Sequence, residues 1–271
     1  MKKILFLLIL FPVFLKAAPF FSSADATFIY YQFKNNDFLK EGFYQSVNLL
    51  KDGNQNQIKL FASSQQTESD DTIKQNEIFG SYSHNLGKIV KMGIGMKYVF
   101  LKNSVYDDAF LIELHSSLNV KQFSFSLSPA YSKLKIADFY HETYQLTSSL
   151  QFYYKDFVLS LNNYPYIRKN SGKDDEEWQL FQEFIVGYYG TNIGIYGAYK
   201  SGELFLLNTF ESSYLNVSPD DFQQGFSLGI LYYPILRNWS INYEFRKNDY
   251  QAWNEANYYI QSHLINLYYH F

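Results

Sequence analysis

Residues 258–271 read YYIQSHLINLYYHF, and this closing stretch decides how the rest of the chain is read. Counted back from the terminus, Phe271, Tyr269, Leu267 and Ile265 fall on one face, while His270, Tyr268, Asn266, Leu264 and Ser262 fall on the other. A repeat of two residues is that of a β-strand, whose successive side chains point to opposite sides. One side of this strand is apolar and the other mostly polar, so it separates a greasy medium from a wet one.

The same division recurs in the middle of the chain. Phe110, Ile112, Leu114 and Leu118 oppose Leu111, Glu113, His115, Ser117 and Asn119; Phe123, Phe125 and Leu127 then oppose Ser124, Ser126 and Ser128. After a loop, Tyr144, Leu146, Leu150, Phe152 and Tyr154 oppose Gln145, Thr147, Ser149 and Gln151. Three successive strands with one greasy and one wet face do not suit a soluble sandwich core; they predict barrel wall. Short connections at Asp52-Gly53-Asn54, Asn85 to Lys88, Lys121, Lys155-Asp156, Thr191-Asn192 and Arg237-Asn238 alternate with longer ones. The tally is about 14 strands, with about 12 as the alternative, and an even number suits a single-chain barrel whose two ends meet on one side. The predicted fold is therefore all-β, a single antiparallel transmembrane β-barrel with short periplasmic turns and longer extracellular loops.

An amphipathic final strand with Ile265, Leu267, Tyr269 and a terminal Phe271 on its apolar face resembles the closing signal of Gram-negative outer-membrane β-barrels. The resemblance implies an outer-membrane location, recognition by the barrel-assembly machinery, and contact with outer-membrane lipid and lipopolysaccharide. In size and strand count the chain is similar to monomeric 14-stranded porins.

The N-terminus agrees with export. Lys2 and Lys3 precede the apolar run Ile4 to Leu15, and Ala17 and Ala18 follow, the layout of a signal peptide. The run is too short for a helical span of about 20 residues. The predicted organisation is a signal peptide over 1–17 and a barrel over 18–271. Aromatic residues make up 20% of the chain, with 26 Tyr and 26 Phe, yet the mean hydropathy is slightly negative at -0.26. That combination fits strands apolar on one side only. Zero cysteines exclude a disulfide framework and a thiolate metal site, and a net charge of -3 argues against a nucleic-acid partner. Trp178, Trp239 and Trp253 fall near connections and Tyr pairs such as Tyr30-Tyr31 near strand ends, as girdles at two membrane surfaces would.

The alternation assigns Lys59, Glu77, Lys91, Lys97, Glu113, His115, Arg168, Glu183, Lys200, Glu244 and Arg246 to the lumen as pore-lining candidates. The longer loops carry Asp70, Asp71, Asp107, Asp108, Asp174, Asp175, Glu176, Glu177, Asp220 and Asp221, an acidic mouth that would concentrate cations at low salt. Catalytic patterns find little support. Glu113, His115 and Ser117 share one face, but neighbours on that face stand about 6.6 Å apart, beyond the roughly 3 Å a nucleophile and its base need. Tyr82-Ser83-His84-Asn85 lies beside a short turn, at the wrong end for an outer-membrane phospholipase, and the Asp pairs with His141 only distantly resemble a surface protease. No HExxH or phosphate-binding glycine loop occurs, so no metal or cofactor is expected.

The predicted function is passive passage of small hydrophilic solutes or ions through a monomeric channel with a cation bias. Two alternatives stay open, an outer-membrane lipase or protease and a structural or surface-interaction barrel with a filled lumen.

Overall fold

The structure, a computed structural model, describes residues 20–36, 39–68, 73–102, 106–136, 139–170, 176–202, 221–233, 238–251 and 257–271. They hold fourteen strands: β1 (Ser23–Lys34), β2 (Glu41–Asp52), β3 (Asn56–Glu68), β4 (Ile73–Leu86), β5 (Val90–Lys102), β6 (Tyr106–Val120) and β7 (Phe123–Ile136). The second half continues with β8 (Phe139–Tyr154), β9 (Phe157–Asn170), β10 (Glu176–Tyr189), β11 (Ile193–Gly202), β12 (Asp221–Tyr232), β13 (Trp239–Gln251) and β14 (Asn257–His270). Each strand pairs antiparallel with its sequence neighbours, and β1 pairs with β14 from Ser23↔His270 to Lys34↔Tyr259, closing the barrel. The transmembrane barrel is thus fourteen-stranded, and the count of twelve is excluded. No helix occurs among the described residues.

The short turns follow local chemistry. Gly53 N–H donates to the Asn56 carbonyl at 2.7 Å, and Gly190 N–H to that of Ile193 at 3.0 Å. Lys121 and Lys155 each hold a φ of 52°, the left-handed conformation that two-residue hairpins demand. These turns, with both strand termini, mark the inner end of the barrel; the longer connections mark the outer end. The predicted signal peptide, 1–17, lies outside the described residues, as do Trp253 and Arg237.

Ile94, Leu114, Leu150, Phe184, Ile195 and Leu228 stand exposed on the outward face, part of an apolar surface that runs from β3 round to β14. In water such a continuous apolar surface would drive aggregation; in lipid it is the matched surface. Aromatic pairs edge it: Phe157 and Tyr188 at 5.2 Å and Tyr232 and Trp239 at 6.4 Å near the inner turns, Tyr131 and Tyr144 at 5.2 Å toward the outer end. One part of the girdle expectation is corrected. Alternation sends only one member of each Tyr pair outward, so Tyr31 is buried inside while Tyr30 faces out.

Candidate functional site: the inward face

The register places all eleven predicted lumen residues on the inward face. Glu183 sits directly opposite Lys200, Lys97 opposite Leu111 and Phe79, Glu113 opposite Gly95, and Arg168 opposite Thr143. Lys59 shares its face with Phe61, Lys91 with Lys97, and Arg246 with Glu244. Of the predicted acidic mouth, Asp70, Asp71, Asp174, Asp175 and Asp220 lie outside the described residues, and the side chains of Asp107, Glu176, Glu177 and Asp221 are likewise outside the description. Asp108 is exposed and accepts a hydrogen bond from Tyr98 Oη at 2.6 Å.

The inward face is layered. Toward the inner end and along β9 to β13 it is polar and, apart from buried residues such as Glu244 and Asn162, partly accessible. Lys91 Nζ donates to Gln57 Oε1 at 2.7 Å, and Asn48 Nδ2 to Asp25 Oδ1 at 2.9 Å. Lys200 pairs with Glu183 at 3.2 Å, and that carboxylate also accepts from Asn162 Nδ2 at 3.0 Å. Arg246 grips Glu244 with two parallel bonds, 2.7 and 2.9 Å, and Tyr196 Oη donates to the same carboxylate at 2.8 Å. Gly229, between Tyr196 and Glu244 on the intervening strand β12, makes that reach possible: a β-carbon there would collide with the Tyr196 ring. Bidentate geometry of this kind fixes both side chains against the wall.

On the wall formed by β4 to β6 the charges are buried. Glu77, Lys97 and Glu113 are nearly inaccessible, with Lys97 Nζ 3.8 Å from Glu77 Oε2 and Gln75 Nε2 donating to Glu77 Oε1 at 2.6 Å. Carboxylates at Asp25, Glu77, Glu113, Glu183 and Glu244 face cations at Lys59, Lys91, Lys97, Arg168, Lys200 and Arg246, so the described wall is close to electrical balance.

Next to this charged layer, toward the outer end, the inward face turns apolar. Ile29, Tyr31, Tyr44, Phe61, Phe79, Tyr164, Phe181, Phe222, Tyr250, Tyr258, Ile260 and Leu264 form one buried cluster. On the remaining wall Val99, Leu111 and Leu134 are equally buried. Along the cluster the rings touch in sequence across the strands: Tyr164–Phe181 at 5.4 Å, Phe181–Phe222 at 5.4 Å, Phe222–Tyr250 at 5.5 Å and Tyr250–Tyr258 at 5.3 Å. Two backbone devices complete this row. Gly202 occupies the β11 position opposite Phe181, so β11 puts no side chain between Phe181 and Phe222. Between Phe222 and Gln224 the register slips, and this β-bulge re-aims Phe222 inward beside Tyr250. The sequence reading missed this layer, although Phe181 shares its face with Glu183 and could have been placed by parity; Phe222 could not, because the bulge breaks the period.

Glu113, His115 and Ser117 stay strung along β6. His115 instead meets Ser128 of β7, Nδ1 to Oγ 2.9 Å. A Ser–His contact has the reach of a nucleophile and its base, but Ser128 is buried in the wall, so the contact holds strands together and offers no substrate access.

No family model matches the chain, and no curated protein matches its sequence. Solved structures do match in shape. The Pseudomonas putida toluene transporter TodX superposes with a TM-score of 0.59 at 10% identity, over 95% of this chain and 92% of that one. A Pseudomonas aeruginosa FadL homologue gives 0.58 at 10% identity, over 92% and 90%. The Acinetobacter baumannii outer membrane protein Omp33 gives 0.53 at 7% identity, over 93% and 99%. At these identities the likeness is one of fold, and the fold is that of outer-membrane β-barrels.

Proposed function

We propose that this barrel resides in the outer membrane of a Gram-negative bacterium and passes small solutes. The observation that carries the reading is the partly accessible charged layer: the side chains of Lys200 and Glu183 keep 21% and 16% of their surface open. Ions so placed hold water, because an unhydrated charge in a dry interior is costly beyond what one partner returns. The polar inner half is a vestibule that narrows toward the aromatic layer. With the described wall near balance, a cation preference on this reading belongs to the acidic outer mouth and fades as salt rises. The outward face of Ile265, Leu267, Tyr269 and Phe271 is the surface offered to the assembly machinery, and lipopolysaccharide contacts the outer rim.

Single-channel recording of the refolded chain in planar bilayers tests the proposal. Discrete conductance steps support it. Silence from a demonstrably folded barrel would end it and favour the second reading, a barrel with a filled lumen, which the near-complete burial of Tyr31, Tyr44 and Phe222 motivates.

A further inference from the structure

We infer that the inward aromatic row, Tyr164, Phe181, Phe222, Tyr250 and Tyr258, is a binding site for small solutes that carry an apolar ring. The site does not rest on the channel reading.

The row is a construction. The rest of the inward face mixes polar and charged residues with single aliphatic and aromatic ones, yet here five strands contribute a ring to one continuous row, with neighbouring centroids 5.3 to 5.5 Å apart. The strand that would interrupt it carries Gly202, and the strand whose period would turn Phe222 outward carries the bulge. Both devices give up regular sheet geometry, and both place apolar surface where a simple water pore would have none.

The physics of entering this row sorts solutes. These rings are almost without accessible surface, so whatever binds among them must leave its water behind. An ion meets a desolvation barrier of many kcal/mol with no charge among the rings to offset it. An apolar ring gains on the order of 25 cal/mol for each Å² it removes from water. The packing also prepares the exchange. Phe181, Phe222 and Tyr250 meet edge-to-face, at interplanar angles of 68° and 78°, the arrangement a third ring can enter by replacing one such contact with another. Seclusion inside a closed barrel excludes a protein or a lipid bilayer as the occupant, leaving a small molecule.

The test is a fluorescence titration of the full refolded chain in lipid nanodiscs with N-phenyl-1-naphthylamine, with empty nanodiscs subtracted. The expected result is saturable binding, displaced by toluene and not by an equal concentration of mannitol. Phe222→Ser should weaken it at least tenfold, while Phe226→Ser, on the outward face, should leave it unchanged. Should Phe222→Ser fail to fold, the competition with toluene and mannitol decides on the unaltered chain. Absence of saturable binding, displacement by mannitol, or equal losses at positions 222 and 226 would overturn the inference. Binding by a barrel that never conducts keeps the site and ends the channel reading; conductance without binding ends the site and keeps the channel.

Discussion

Phe222 and Gln224, two positions apart on β12, lie on opposite sides of the barrel wall: Phe222 packs on Tyr250 inside, and Gln224 Nε2 donates to Asp249 outside at 3.2 Å. Because Phe222 is held in a filled layer, Phe222→Ala should lower stability by about 3 kcal/mol, as for a packed core aromatic. A water-lined position would lose far less. The midpoint of urea unfolding in lipid vesicles measures the difference.

Glu77 and Lys97 are both buried, which makes their pairing asymmetric in consequence. Lys97→Met strands a carboxylate away from water and should destabilise by about 3 to 5 kcal/mol. The double variant Glu77→Gln, Lys97→Met should recover most of that loss. At Lys200, whose pair with Glu183 is partly open, the corresponding Lys200→Met should stay within about 1 kcal/mol. Equal losses at the two lysines would contradict this difference in burial.

Tyr31 lies over Gly42 of β2 and reaches β3, with its hydroxyl 2.6 Å from Thr67 Oγ1 and accepting from Gln65 Nε2 at 3.0 Å. A β-carbon at position 42 would collide with the Tyr31 ring. Gly42→Ala should therefore destabilise by roughly 2 kcal/mol through overpacking, and much of this should disappear in a Tyr31→Leu background, since two residues in contact do not act additively. Strictly additive unfolding energies would show that the ring does not depend on the glycine.

Phe271 donates its backbone N–H to the Ser22 carbonyl at 3.0 Å, and its ring packs on Tyr269 at 5.2 Å on the outward side. Replacing it by Gln removes little from the folded barrel. If the terminal aromatic is what the assembly machinery reads, Phe271→Gln should cut the amount of barrel in the outer membrane several-fold while leaving refolding from urea unchanged. Parallel losses in both assays would make the residue structural.

Strand identity was legible throughout because the outward face needs apolar side chains at every second position. Strand ends were legible only on the inner side. At the outer end β8 begins at Phe139 rather than Tyr144, since strands that rise past the apolar band no longer have to alternate. Parity also sufficed to send Lys59, Glu183 and Arg246 inward. It could not reveal that Glu77 and Lys97 are sealed while Lys200 is partly open, because burial depends on which side chains of other strands pack around each charge. Nor does residue type separate an inward Tyr250 from an outward Tyr243. The Ser128 partner of His115 depended on cross-strand register, which no local pattern encodes.

Asn266 Nδ2 donates to Thr27 Oγ1 at 3.1 Å across 239 positions of sequence. The seam between the first and last strands thus joins the most distant parts of the chain, and its loop-closure entropy is borne only when everything between is in place. Until then β1 presents a free edge of unpaired amides, the template on which chains aggregate. Closure is a late, all-or-none event, and a ribosome or translocon that releases the chain without β14 releases an open sheet instead of a slightly smaller barrel.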